Sequence, residues 1–288
     1  MGQLPPDSLR HGTTVLRYSG VSFAYPGSRE LLLDEVNLEI AAGEIRAVVA
    51  DNGLGKSTLA RLALGQIAPR RGEVLLFGRR ASGRDHASQL AFIGDPSAHA
   101  EMVAALPAEV PVGRLLAAHR ELFAASGLEV PDADELEQAL GLADPAVRRR
   151  PIGALNKGHF QRLQTVLALG KRPRLLIADE VSEGLDRRSR HLILTQIAQA
   201  TRLHGTAVLW ISHRFEELAA LGAEVFELRD RRLFPVGGDG FHGALTVNGE
   251  CQEYDGLPGG ELVNLLGRAA CAAETSRIEL TARRGNHA

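Results

Sequence analysis

Short apolar runs separated by turn-forming residues dominate the first part of the chain. Val15–Tyr18, Val36–Ile40 and Ile45–Ala50 read as strands, with Pro26-Gly27-Ser28 and Ala42-Gly43 as breaks between them. Lys56–Leu64 has helical spacing and follows a glycine-containing loop, and Gly72–Gly78 reads as a further strand. From about residue 97 to 170 Ala, Leu and Glu recur at helical spacing, and Pro107, Pro111, Pro131, Pro145 and Pro151 divide the segment. Leu175–Ala178 and Ala207–Ile211 are wholly apolar, the texture of parallel strands buried on both faces, and Arg187–Leu203 between them reads as a helix. Strands alternating with helices predict an α/β fold with a covered, mostly parallel sheet. Past about residue 235 the texture changes. Gly237-Gly238-Asp239-Gly240 is a break, Ala244–Val247 reads as a strand and Gly260–Ala270 as a helix. No internal repeat is visible.

Composition narrows the picture by exclusion. The chain has 288 residues, 44% hydrophobic and 24% charged, with a formal net charge of −2. That balance is ordinary for a globular protein and gives no reason to expect a nucleic-acid partner. The basic run Arg148-Arg149-Arg150 reads as a solvated helix end. Two cysteines, Cys251 and Cys271, support neither a disulfide framework nor a zinc site, which fits a reduced compartment. The first thirty residues hold no apolar signal core, and no stretch reaches the roughly 18 apolar residues of a membrane span. A membrane role would need another chain to supply the membrane part. His11, His86, His99, His119, His191, His204, His242 and His287 show no metal-ligand spacing and read as surface residues.

Chemistry enters at three strand ends. Asp51-Asn52-Gly53-Leu54-Gly55-Lys56-Ser57, followed by Thr58, lies between a strand and a helix, the context that a phosphate loop requires. Glycines let backbone N–H groups wrap phosphates closely, and the helix N-terminus adds partial positive charge. Lys56 would reach the β- and γ-phosphates and Ser57 would hold Mg²⁺. The pattern departs from G-x-x-x-x-G-K-[ST] at its first position, where Ala50 stands. Leu175–Ala178 ends in Asp179-Glu180, at the sheet edge where ligands sit. Asp179 would bind the metal, and Glu180 would orient or activate an attacking water. Ala207–Ile211 ends in Ser212-His213 at the same edge, which makes His213 a candidate partner for the γ-phosphate.

In this order these residues resemble the ATP-binding cassette family over roughly residues 14–235. The resemblance implies a P-loop NTPase core of that family's type, with a mostly parallel sheet, an N-terminal antiparallel β subdomain and an inserted α-helical subdomain at about 97–154. Residues 236–288 would be an extension of unassigned role. Tyr25 fits the adenine-stacking aromatic, and Gly184-Leu185-Asp186 is also matched. The implied activity is ATP hydrolysis with Mg²⁺ by a dimer of cassettes, each ATP lying between one phosphate loop and the other subunit's signature motif. Here Leu155-Asn156-Lys157-Gly158-His159 stands where the family has L-S-G-G-Q. Asn156 and Gly158 would contact the nucleotide, while Lys157 and His159 are departures. Asp95 occupies the place of a glutamine that touches the metal, and Glu183 adds negative charge near the dimer contact. Groups acting on the chain's own nucleotide are kept, whereas several acting across the dimer are altered, which points to a non-identical partner cassette, with a homodimer as the other arrangement left open. The resemblance implies an energising subunit of a membrane transporter, with transmembrane partner subunits and a cytoplasmic position on the inner face of the membrane. A soluble cassette ATPase in a repair, assembly or biosynthetic complex, or a binding-only regulatory subunit, is the alternative.

Overall fold

The computed structural model describes residues 12–51, 53–82, 86–94, 107–125, 133–212 and 215–236, and the backbone of 241–247, 250–257 and 278–282. Three sheets organise these segments. The first is antiparallel: β1 (Thr14–Phe23) lies between β2 (Leu33–Ala41) and β4 (Arg71–Leu76), and β5 (Arg79–Arg80) forms its edge. The second has six strands in the order β10-β9-β3-β8-β7-β6, built from β3 (Ile45–Val49), β6 (Leu90–Gly94), β7 (Leu175–Asp179), β8 (Ala207–Ile211), β9 (Glu224–Arg229) and β10 (Arg232–Pro235). The pairings from β9 to β6 are parallel, and only β10 runs antiparallel, at one edge. This is the expected α/β class.

The parallel strands are apolar because both faces are covered. In β7, Leu175 and Ile177 enter one core while Leu176 and Ala178 enter the other. In β8, Leu209 and Ile211 share the first, and Val208 and Trp210 the second. The first core also holds Leu16, Tyr18 and Ile40 of the antiparallel sheet and Leu59 and Leu62 of the helix α1 (Lys56–Ala63). The second joins the helices that lie between β6 and β8 in the chain. These include α2 (Val112–Ala125), α3 (Ala133–Ala139), α4 (Pro145–Arg148) and α5 (Lys157–Leu169), with α6 (Arg187–His204) after β7. A short helix, α7 (Phe215–Leu221), follows β8.

Several sequence expectations change. β6 is a strand that the apolar pattern alone does not single out; it forms because it pairs in parallel with β7, from Leu90 opposite Leu175 to Gly94 opposite Asp179. Arg148 is not simply solvated: it pairs at 3.3 Å with buried Glu137, which also binds Arg120, so one carboxylate joins α2, α3 and α4. His86 is buried edge-on against Phe77, and the His119 ring reaches the Leu167 carbonyl at 3.0 Å, so neither is a free surface residue. Beyond residue 240, β11 (Phe241–Val247) pairs antiparallel with both β12 (Glu250–Leu257) and β13 (Ile278–Ala282), which forms a third sheet. The expected helix at Gly260–Ala270 lies outside the described residues.

Candidate functional site

The loop between β3 and α1 is shaped by two glycines in the left-handed region, Gly53 with φ 84° and Gly55 with φ 105°. At Gly55 a Cβ would also stand 3.1 Å from Leu32 Cγ and 3.3 Å from Leu33 Cδ2, so backbone conformation and packing both require glycine. Ala50 lies outside the positive-φ set, and its methyl packs against the apolar cluster beneath the loop. The departure from the glycine pattern is therefore accommodated without strain. Thr58 and Leu59 donate their N–H groups to the Gly55 carbonyl at 3.0 and 3.1 Å, which starts α1. Ser57 and Leu54 are exposed at the mouth of the loop. Lys56 is 6% exposed and turns back over the loop. Its Nζ donates to the carbonyls of Ala50 at 2.7 Å and Asp51 at 3.2 Å.

The same ammonium lies 3.6 Å from Glu180 Oε1, so the loop before α1 and the end of β7 meet at this lysine. Asp179, the last residue of β7, is buried between Gly94 of β6 and Ile211 of β8. Glu180 leaves the sheet with φ 51°, a left-handed conformation that a non-glycine residue holds only when its surroundings fix it. Its N–H donates to the Ile211 carbonyl at 2.9 Å. On the other side α5 grips the end of β6: Gln161 Nε2 donates to the Gly94 carbonyl at 3.0 Å, and Gly94 N–H to Gln164 Oε1 at 3.4 Å. Asn52, Asp95 and His213, all expected in the site, lie outside the described residues.

Tyr25 follows β1 and stands beside α1. Its hydroxyl lies 3.1 Å from Thr58 Oγ1, with Arg61 at 3.5 Å, and its ring meets Phe23 edge-on at 5.0 Å. Partial burial pushes the phenol upward, but the hydrogen bonds with Thr58 and Arg61 and the Arg61 charge outweigh it, leaving the pKa below its ordinary value. The residue remains 40% exposed, which leaves it accessible to a planar ligand. The sequence alone did not reveal that Thr58 and Arg61 hold it; their spacing along α1 was the only available sign.

The variant signature starts α5. Asn156 is the N-cap, and its Oδ1 accepts from the His159 N–H and meets His159 Nδ1, both at 2.8 Å. The side-chain oxygen expected to face a phosphate is thus engaged within its own helix. Gly158 permits close packing on α6, since a Cβ there would stand 2.9 Å from Ser189 Oγ. Lys157 lies over the chain's own Gly184, with Nζ 3.3 Å from where a Cβ would be. Burial lowers the His159 pKa, helped by Arg162 and Arg150 and opposed by Asp186 and Asp144. Among the described residues no group of three or more His, Cys, Asp or Glu side chains gathers as a metal cage. No helix among them is long and apolar enough to cross a membrane.

The sequence profile of the ABC transporter family matches residues 33–183. The chain is 33% identical over 202 residues to a zinc import ATP-binding protein of Paramagnetospirillum magneticum, covering 69% of this chain and 68% of that protein. It is 31% identical over 222 residues to a ribose import ATP-binding protein of Rubrobacter xylanophilus, covering 76% of this chain but only 43% of that relative's length. Among solved structures, an ATP binding subunit of an ABC transporter superposes with a TM-score of 0.64 at 24% identity, covering 76% of this chain and 88% of that one. A bacterial Atm1-family ABC exporter with ATP bound gives 0.63 at 24% identity, covering 81% of this chain and 40% of the exporter.

Proposed function

Because this chain belongs to the ABC transporter family, we propose that it binds and hydrolyses ATP and thereby energises a membrane transporter whose spanning part is supplied by other chains. The observation that carries this reading is the 3.6 Å approach of Lys56 to Glu180 at the carboxyl edge of a parallel sheet. There a phosphate-binding cation and a carboxylate able to orient water share one mouth. The import names of the zinc and ribose relatives favour transport over a soluble repair or biosynthetic role.

In this mechanism the triphosphate lies against the loop from Asp51 through Asn52, Gly53, Leu54 and Gly55 to Thr58, whose backbone N–H groups bind it. Lys56 turns from the Ala50 and Asp51 carbonyls towards the β- and γ-phosphates. The Ser57 hydroxyl and Asp179 carboxylate form an all-oxygen donor set that suits Mg²⁺. That ion, when bound, would neutralise charge on the phosphates. Glu180 orients the water that attacks the γ-phosphorus, and His213 and Asp95 complete the site as the family pattern implies. Tyr25 supports the adenine. Asn156 and Gly158 would serve the nucleotide of a second cassette rather than the chain's own, through the backbone at the start of α5, since the Asn156 oxygen caps its own helix. Residues 14–235 form the cassette, the segment at about 97–154 meets the membrane chains, and 236–288 is an accessory extension. The protein then works at the inner face of the membrane, held there by its partners.

Lys56→Ala is expected to abolish ATP binding, read by a fluorescent nucleotide analogue; unchanged affinity would overturn the site. Glu180→Gln is expected to keep binding and to lose about 10²- to 10³-fold in hydrolysis. Affinity purification of Glu180→Gln from detergent-solubilised cells should recover multi-span membrane chains in stoichiometric amount. Recovery of soluble enzymes alone would defeat the transport reading.

A further inference from the structure

Glu217 on α7 is a fully buried carboxylate that the mechanism above leaves without a task. One oxygen, Oε1, accepts a hydrogen bond from Ser182 Oγ and lies 3.6 Å from Arg190 Nε. The other, Oε2, accepts from Ser212 Oγ at 3.0 Å. Ser182 and Ser212 are themselves buried. A buried carboxylate is tolerated only when it is paired and hydrogen-bonded, and both of its oxygens meet that condition here.

The partners come from three separate places. Ser182 stands two residues after Glu180 in the turn that follows β7, Ser212 follows β8 directly, and Arg190 lies in the first turn of α6. Together they close a ring around the strained residue. Glu180 N–H binds the Ile211 carbonyl at 2.9 Å, Ile211 leads into Ser212, Ser212 binds Glu217, Glu217 binds Ser182, and the chain returns to Glu180. Arg190 extends the ring, since its NH2 group donates to the Leu185 carbonyl at 3.2 Å in the Gly184-Leu185-Asp186 segment.

We infer that Glu217 is a positioning residue for hydrolysis, holding the turn after β7 against the end of β8 so that Glu180 keeps its left-handed backbone and its carboxylate stays beside Lys56. The inference rests on the ATPase reading. A φ of 51° at a non-glycine residue relaxes once the contacts that hold it are lost. Sub-ångström movement of a catalytic carboxylate reduces turnover without touching the groups that bind substrate. The phosphate loop is held by β3, α1 and the apolar cluster beneath it; Glu217 itself makes none of the contacts given for them, and its partner Ser212 reaches β3 through its backbone N–H, 3.3 Å from the Val48 carbonyl, a bond that neither side-chain change removes.

The test compares E217Q and S212A with the unaltered full-length chain, together with the partner chains that co-purify with it. ATP affinity is read with a fluorescent analogue, and kcat and KM by phosphate release. E217Q keeps the side-chain size but removes the charge and one acceptor. Its kcat is expected to fall about 10-fold while KM and ATP affinity stay within about 2-fold. S212A is expected to lose about 3-fold in kcat, and the double variant should match E217Q, because Ser212 acts through Glu217. Unchanged kcat in both variants, affinity falling in step with rate, or strictly multiplicative losses would overturn the inference. If E217Q does not fold, S212A carries the test, because it leaves the carboxylate and Arg190 in place. An unaltered chain that neither binds nor hydrolyses ATP overturns the ATPase reading itself, whereas active variants beside an active parent overturn only the role of Glu217.

Discussion

The phosphate loop and the start of α5 are both helix N-termini reached from a loop, yet they are built on different principles. The first rests on backbone conformation and burial. Gly55 sits at φ 105° with two leucines at van der Waals range, Lys56 is enclosed, and Ala50 packs into the apolar layer below. The second rests on a side-chain cap. Asn156 closes the first turn of α5 from an exposed position, and Lys157 and His159 follow without disturbing the helix. A geometry enforced by the core leaves few residue choices, whereas a surface cap accepts several. This contrast accounts for the near-complete phosphate-loop pattern beside a signature that departs at three positions.

The sharpest way to break the comparison is Gly55→Ala. Left-handed backbone and the crowding by Leu32 and Leu33 should distort the loop, and ATP affinity is expected to fall about 100-fold or more, roughly 3 kcal/mol, by nucleotide titration. At the other site Asn156→Ala should leave the chain's own ATP affinity unchanged and cost about 1 kcal/mol of stability through the lost cap, read by denaturant unfolding. If the two changes have equal effects on binding, the contrast between a core-enforced and a cap-based terminus fails.

Next in size, Tyr25→Ala should weaken ATP binding about 10-fold, in line with roughly 1–3 kcal/mol for base–aromatic stacking. Tyr25→Phe, which loses only the Thr58 and Arg61 contacts, should change it about 3-fold or less. Lys157→Gly restores the family's residue in the signature and lifts the side chain off Gly184. Hydrolysis by the isolated chain is expected to rise about 3- to 10-fold with ATP affinity unchanged, as for a change that acts only in turnover. No gain would show that the variant signature is already competent and would remove the ground for a non-identical partner. A purified chain that forms an ATP-dependent dimer with two equally active sites would argue against that partner as well.

The smallest effect concerns acid stability. Burial lowers the pKa of His119, as Lys171 and Arg120 also do against the opposing Leu167 carbonyl and Glu137. His159 is lowered as well, first by burial. Unfolding lets both imidazoles take up protons near the ordinary value of about 6.5. Above that pH both states are neutral, and stability is unaffected. As pH falls below it, the unfolded state binds protons first, so stability declines until the folded-state values are passed. The denaturant midpoint should therefore fall between about pH 7 and pH 5, and His119→Gln should flatten the decline.

Much of the central sheet was legible in the chain. Ala207–Ile211 is a strand with the bounds its apolar run indicates, and Leu175–Ala178 extends by one residue to Asp179. Such runs stand out because both faces are buried. β6 escaped notice because its five residues become a strand through pairing with β7, an interaction distant in sequence. β1 runs to Phe23 through Ser19-Gly20, where register shifts let a turn-like pair continue the strand. The C-terminal sheet was only partly visible, since β12 carries polar residues and no clear alternation.

For the site, the sequence by itself determined the candidate groups: Lys56 and Ser57 opening a helix, Asp179-Glu180 closing a buried strand, and a glycine loop that allows positive φ. These follow from local chemistry and from periodicity, which neighbours in the chain suffice to express. Tertiary structure alone decided which groups meet. It brought Lys56 to Glu180, set Tyr25 on Thr58, turned the Asn156 oxygen inwards as a cap, and joined Ser182, Ser212 and Arg190 at Glu217. Those contacts depend on strand order and on the layers packed over each face, which arise only when distant segments come together.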